Sequence, residues 1–164
     1  MKESNYLAGQ EAFLPKIKNL PAFKQCTDEE LKGLLRISKI RNFNANEVII
    51  NEGSCEKCIY FLLSGYVDIE KDGNVVASLT GLGEVFGEMG FLDENPRTSN
   101  VIAVKETICL TVDSTRLLNI KEDGHDSFHA AIYRLFAKIL AHRLSVTANK
   151  FAESKKLIKR LRRG

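Results

Sequence analysis

The 164-residue chain has no apolar run long enough to cross a bilayer, and its opening residues, MKESNYLAGQEAFLP, lack the apolar stretch of a secretory signal. Those two absences point to a cytoplasmic protein without a membrane span. Cysteine is sparse: of the four present, only Cys55 and Cys58 stand close together. A zinc centre wants a second close pair of ligands, and Cys26 and Cys109 stand alone. A redox C-x-x-C opens a helix, whereas the residues from Cys58 onward, CIYFLLSG, read as strand. The thiols are therefore expected to be reduced, with no metal or redox cofactor, and their spacing does not favour a haem or iron–sulfur sensor. His125 and His129 are four apart on a helical segment without an evident third ligand, and read as surface residues. No nucleophile, base and orienting group fall into a reactive arrangement, so the chain is read as non-catalytic. Proline is rare as well, with three in all and none after Pro96.

What is present divides the chain into three. Residues 1–36 read as a helical segment, in which Leu31, Leu34 and Leu35 recur at helical spacing. Thr27 is placed to cap that helix, with Glu30 as its capping-box partner. Residues 37–123 read as a β domain, with period two from about Lys39 to Asp113: EVIIN, CIYFLLSG, YVDIEK, NVVASL and VIAVKETICLTV are short, rich in β-branched residues and punctuated by Gly, Asn, Asp or Ser. Asp72-Gly73 marks a tight hairpin, because both residues tolerate positive φ. Such strands predict an α+β, mainly β fold: an antiparallel jelly-roll barrel flanked by N-terminal helices and a long C-terminal helix. In that last segment, residues 124–164, Phe128, Ile132, Leu135, Ile139 and Val146 form an apolar stripe that Phe136, Leu140 and Leu144 widen. With no proline to stop it, the helix is expected to reach Leu161. Its first half can fold back on the domain, and the remainder is expected to meet a second copy, giving a homodimer.

Charge follows the same division. The net charge is +3, yet residues 124–164 hold ten Lys or Arg against two Asp or Glu, so the rest is net acidic. The tail KKLIKRLRRG has no aromatic residue to stack on bases, and reads as a solvated helix end or a non-specific contact.

One stretch departs from the alternation. FGEMGFLDENPRTSNV, residues 86–101, is too long for a simple strand connection. Gly87 and Gly90 permit close backbone approach, and EMGFL has the length of one helical turn, whose free N–H groups suit an anion. Arg97 supplies a planar fork of donors matched to phosphate, Glu88 an acceptor for a sugar hydroxyl, and Thr98 and Ser99 two further hydroxyls. These groups describe a pocket for a phosphorylated, hydroxyl-bearing small molecule. The plain alternative is a salt bridge between Glu88 and Arg97 that closes a surface loop.

Phe86-Gly87-Glu88, Phe91-Leu92, Pro96-Arg97-Thr98-Ser99 and Val101 together resemble the phosphate-binding cassette of the cyclic nucleotide-binding domain family. EVIINEGS, IYFLLSGYVDI and GLGEVFGE resemble the same family's strand-and-glycine framework. The resemblance implies that Glu88 accepts a hydrogen bond from the ribose 2′-hydroxyl and that Arg97 pairs with the exocyclic phosphate. It also implies that backbone groups from Gly87 through Met89 line the ligand, with Thr98 and Ser99 beside the phosphate or base. The ligand is then cAMP or cGMP, and the chain a regulatory module signalling through its C-terminal helix to an effector. In the family's transcription regulators a helix-turn-helix follows that helix. Here the sequence ends after it, so no sequence-specific DNA binding is expected. A ligand-free interaction module that keeps the fold, and the regulatory part of a larger signalling or transcription protein, are the competing expectations.

Overall fold

A computed structural model describes residues 1–89, 96–119 and 125–162. The chain begins with a two-residue strand, β1 (Lys2–Glu3), followed by a 3-10 turn (Glu11–Phe13), α1 (Leu14–Lys18) and a second 3-10 turn (Pro21–Phe23). Next comes α2 (Asp28–Arg36), which carries the capping box: the Thr27 hydroxyl accepts from the Glu30 backbone N–H, and the Glu30 carboxylate accepts from that of Thr27. β1 is an addition to the helical reading of residues 1–36. Two residues are too few to display a period, and long-range ion pairs at 2.5 Å from Glu3 to Lys39 and Arg41 help fix them in place.

Eight further strands follow: β2 (Ser38–Phe43), β3 (Val48–Ile50), β4 (Cys58–Ser64), β5 (Val67–Lys71), β6 (Asn74–Leu79), β7 (Val85–Phe86), β8 (Asn100–Ala103) and β9 (Thr107–Asp113). They form two sheets with antiparallel ladders, in the orders β1-β2-β9-β4-β7 and β3-β8-β5-β6. Among the described residues no ladder joins the two sheets. The jelly-roll is thus a sandwich rather than a closed barrel, a distinction that periodicity cannot make. The β5–β6 hairpin turns on Asp72 and Gly73, with φ of 51° and 75°, the positive values expected of that pair.

β4 explains why its sequence is apolar almost without interruption. Alternate strand residues face opposite ways, and both faces of this strand are covered. Ile59 and Phe61 pack with Phe23, Leu31, Leu34, Leu110 and Val112 under the helices. Cys58, Tyr60 and Leu62 pack between the sheets with Ile50, Val67, Phe86, Val101 and Cys109. Tyr60 and Phe86 stack with centroids 5.0 Å apart, which ties β4 to β7 immediately before the cassette.

After β9 come α3 (Ser114–Asn119) and α4 (His125–Leu161). Leu135 and Phe136 on α4 are buried in the helical cluster, and Ile139 packs against it. Beyond them the helix runs into solvent, with Leu144, Phe151, Ile158 and Leu161 all exposed. The expected fold-back of its first half is therefore seen at Leu135 to Ile139, while the side chains of Phe128, Ile132, His125 and His129 lie outside the described residues.

Candidate functional site

The ends of the residue 86–101 loop come together over the inter-sheet core. β7 delivers Phe86 and then Gly87, whose φ of +78° belongs to the left-handed region. A Cβ there would lie 3.0 Å from the Cys58 carbonyl oxygen and 3.1 Å from Ile50 Cδ1. Glycine is thus required both for the turn and for the close approach. At the far end, the Arg97 backbone is fixed to the turn before β4: its N–H donates to the Ser54 carbonyl at 2.9 Å, and its carbonyl accepts from Gly53 at 2.8 Å. β8 begins three residues later with Asn100, whose Oδ1 accepts from the Glu52 N–H at 2.8 Å.

The Arg97 side chain is buried, at 6% exposure. Nη2 donates to the Cys58 carbonyl at 2.5 Å and Nη1 to the Gly87 carbonyl. Nε is buried with no hydrogen-bond partner. A guanidinium held by two carbonyls, with one donor left over in a closed environment, is unusual, because buried donors are almost always satisfied. Arg97 also lines the adjoining cavity, where a guanidinium suits an anion.

That cavity has a volume of about 190 Å³. Ile50, Ile69, Phe86 and Val101 form its apolar part, and Gly87, Glu88, Met89, Arg97, Thr98 and Ser99 line the remainder. All six site residues expected from the sequence therefore border one pocket. Thr98 is exposed, with its carbonyl held by Lys71 Nζ at 2.6 Å, and Ser99 is half-buried. Met89 is exposed. Gly90, Phe91 and Leu92, together with most of the helical turn expected in EMGFL, lie outside the described residues.

The salt bridge weighed between Glu88 and Arg97 does not form. Glu88, only 1% exposed, is paired instead with a residue that the sequence reading had not singled out. Arg143 of α4 reaches into the cavity, where Nη1 donates to Glu88 Oε1 and Nη2 to the Val85 carbonyl. A signal for it existed: Arg143 follows Leu135 and Ile139 at intervals of four, so a cation continues the stripe that faces the domain. The C-x-x-C separates in the same region. Cys55 is exposed, whereas Cys58 faces the inter-sheet core, where burial, with Glu56 nearby, pushes its thiol up to about 12. Among the described residues no group of three or more His, Cys, Asp or Glu assembles as a metal site.

Residues 40–123 match the family model described as "Cyclic nucleotide-binding domain". The chain is 30% identical over 149 residues to a glutaminase of Bradyrhizobium diazoefficiens, covering 91% of this chain and 22% of that protein. The catabolite activator protein of Thermus thermophilus superposes with a TM-score of 0.65 at 26% identity, covering 80% of this chain and 61% of that one. The regulatory domain of Toxoplasma gondii PKA, solved with cAMP, gives 0.58 at 25% identity, covering 73% of this chain and 47% of that one. The chain spans between 11% and 41% of the length of these curated relatives. With the matched segment running from within β2 past the end of β9 and containing the whole pocket loop, the chain belongs to the cyclic nucleotide-binding domain family.

Proposed function

We propose that the chain is a non-catalytic regulatory module that binds a cyclic nucleotide in the cavity between Gly87, Glu88, Arg97 and Thr98. The observation that carries this reading is the Arg97 guanidinium, with two arms on the carbonyls of Gly87 and Cys58 and Nε buried without a partner. A cyclic phosphate supplies the missing acceptor, and the charge-assisted bond is worth ~1.5–3 kcal/mol. The sugar 2′-hydroxyl donates to the Glu88 carboxylate. Backbone groups from Gly87 to Met89 follow the phosphate, and Thr98 and Ser99 offer hydroxyls to the phosphate or base. Of the two purines we favour cAMP, although Thr98 is also suited to hydrogen-bond the guanine amino group.

The signal leaves through α4. Leu140, Leu144, Thr147, Phe151, Ser154, Ile158 and Leu161 recur at alternating intervals of four and three, the spacing of a coiled-coil seam. We propose that this seam forms a homodimer and transmits ligand state to an effector, within a cytoplasmic regulatory protein whose units are residues 1–36, 37–123 and 124–164. Lys150 and Lys155 flank the seam with charge of one sign, so the dimer should tighten as salt is raised. Gel filtration at two salt concentrations reads this directly.

Calorimetric titration with cAMP and cGMP tests the ligand. Saturable binding of at least one is expected. Absence of heat up to millimolar nucleotide, weaker than about −4 kcal/mol, overturns the reading.

A further inference from the structure

The segment that carries Arg97 is held at three successive points, and the holds differ in kind. Arg97 is laced by backbone alone, its N–H to Ser54 and its carbonyl to Gly53. Asn100 is tied through its side chain to the Glu52 N–H. Between them stands Thr98, an exposed residue that lines the cavity. Its carbonyl accepts from Lys71 Nζ at 2.6 Å, and among the described residues this is the hydrogen bond that Thr98 makes.

Lys71 closes β5 two residues after Ile69, so the two side chains leave that strand on the same face. Ile69 lines the cavity, whereas Lys71 is not part of its wall and extends to the loop instead. Its ammonium is kept there by Glu52 Oε1 at 3.1 Å. These two side chains are 45% and 37% exposed, and a pair so open to water contributes little to stability. The consequence of the contact lies in the second proton that the ammonium donates, a charge-assisted bond to the backbone of a pocket residue. With the Arg97 carbonyl held by Gly53 and the Thr98 carbonyl by Lys71, the peptide planes on both sides of the Thr98 Cα are fixed. The direction in which its side chain leaves the backbone is fixed with them.

Resting on the reading of the pocket as a nucleotide site with Thr98 beside the base, we propose that Lys71 is a positioning residue for purine selectivity. By holding the Thr98–Ser99 peptide, it aims the Thr98 hydroxyl at the amino group that guanine carries at C2 and adenine lacks. Lys71 touches no ligand and acts through Thr98. A lysine that merely attracted phosphate would favour every cyclic nucleotide alike, which separates the two roles.

The test is calorimetric titration of wild type, Lys71→Met and Lys71→Arg with cAMP, cGMP and cyclic inosine monophosphate, whose base lacks the C2 amino group. Lys71→Met should weaken cGMP about threefold or more and leave the other two unchanged, because one neutral hydrogen bond is at stake. Lys71→Arg can still donate to the carbonyl and pair with Glu52, and should restore the wild-type ratio. Thr98→Val should lower cGMP relative to the inosine compound, and adding Lys71→Met to it should shift that ratio no further. Equal losses for all three nucleotides, or equal losses for the guanine and inosine compounds, overturn the proposal while leaving nucleotide binding in place. A further shift in the Thr98→Val background overturns it as well, since Lys71 would then act by another route. Binding of neither cAMP nor cGMP by wild type removes the nucleotide reading itself. Should Lys71→Met fail to fold, Lys71→Ala also lacks the donor and is read by the same outcomes.

Discussion

The two ends of the pocket are built differently. Arg97 is fixed by its own neighbourhood: its backbone is laced to Gly53 and Ser54, and its side chain to the carbonyls of Gly87 and Cys58. Glu88 is fixed by a helix 55 residues away, through one ion pair with Arg143. The first end is part of the sandwich and stands or falls with it. The second depends on where α4 lies. A site with one rigid end and one conditional end can hold a ligand and report that it has done so.

The sharpest way to break the comparison is at the rigid end. Arg97→Ala removes the donors of two carbonyls and a cation facing the cavity. Each stranded buried group costs ~1–3 kcal/mol, so the melting temperature should fall clearly. Nucleotide affinity should drop more than tenfold in titration, and nucleotide should no longer raise the melting temperature. Gly87→Ala comes next. It forces a side chain into the left-handed region and against the Cys58 carbonyl, which should cost about 1–2 kcal/mol or more in a chemical denaturation curve.

Smaller changes sharpen the contrast. Asn100→Ala removes the acceptor for the Glu52 N–H beside the Arg97 loop and should cost about 1 kcal/mol, with a modest loss of affinity, because it loosens the rigid end without touching the ligand. Thiol labelling separates surface from core. Cys55 should react promptly at neutral pH, while Cys58 and Cys109, each pushed up to about 12 chiefly by burial, should react only on unfolding.

The smallest effect belongs to the N-terminal strand. Hydrogen bonding to Lys39, opposed by partial burial and aided by Arg41, holds the Glu3 carboxyl below its ordinary 4.5. A depressed carboxyl stabilises the fold above its unfolded value, and that contribution is lost as pH falls through the lower folded value. Exchange at the Ser4 amide, which donates to the Ile40 carbonyl at 2.9 Å, should therefore quicken relative to the core as pH drops below the ordinary 4.5.

The sequence made local features legible where the chemistry is local. The capping box at Thr27 and the Asp72-Gly73 turn depend on residues within a few positions of one another, and both stand as read. The six pocket residues were legible for a related reason: one loop carries them all, and its glycine and arginine have few other uses. Long-range pairings were hidden. β1 has no period to detect, and whether nine strands close into a barrel depends on ladders that no spacing encodes. Arg143 was missed because helical patterning sorts residues into apolar and polar faces. A cation that continues the apolar stripe reads as an interruption until the carboxylate waiting for it is seen. The same blindness let Glu88 and Arg97 be weighed as partners, since proximity along the chain stood in for proximity in space.

A crystal structure grown with cAMP or cGMP tests the central claim most directly. The account predicts phosphate oxygen within hydrogen-bond distance of Arg97 and the sugar hydroxyl on Glu88. Nucleotide bound elsewhere, with Arg97 Nε still unpartnered, would contradict it.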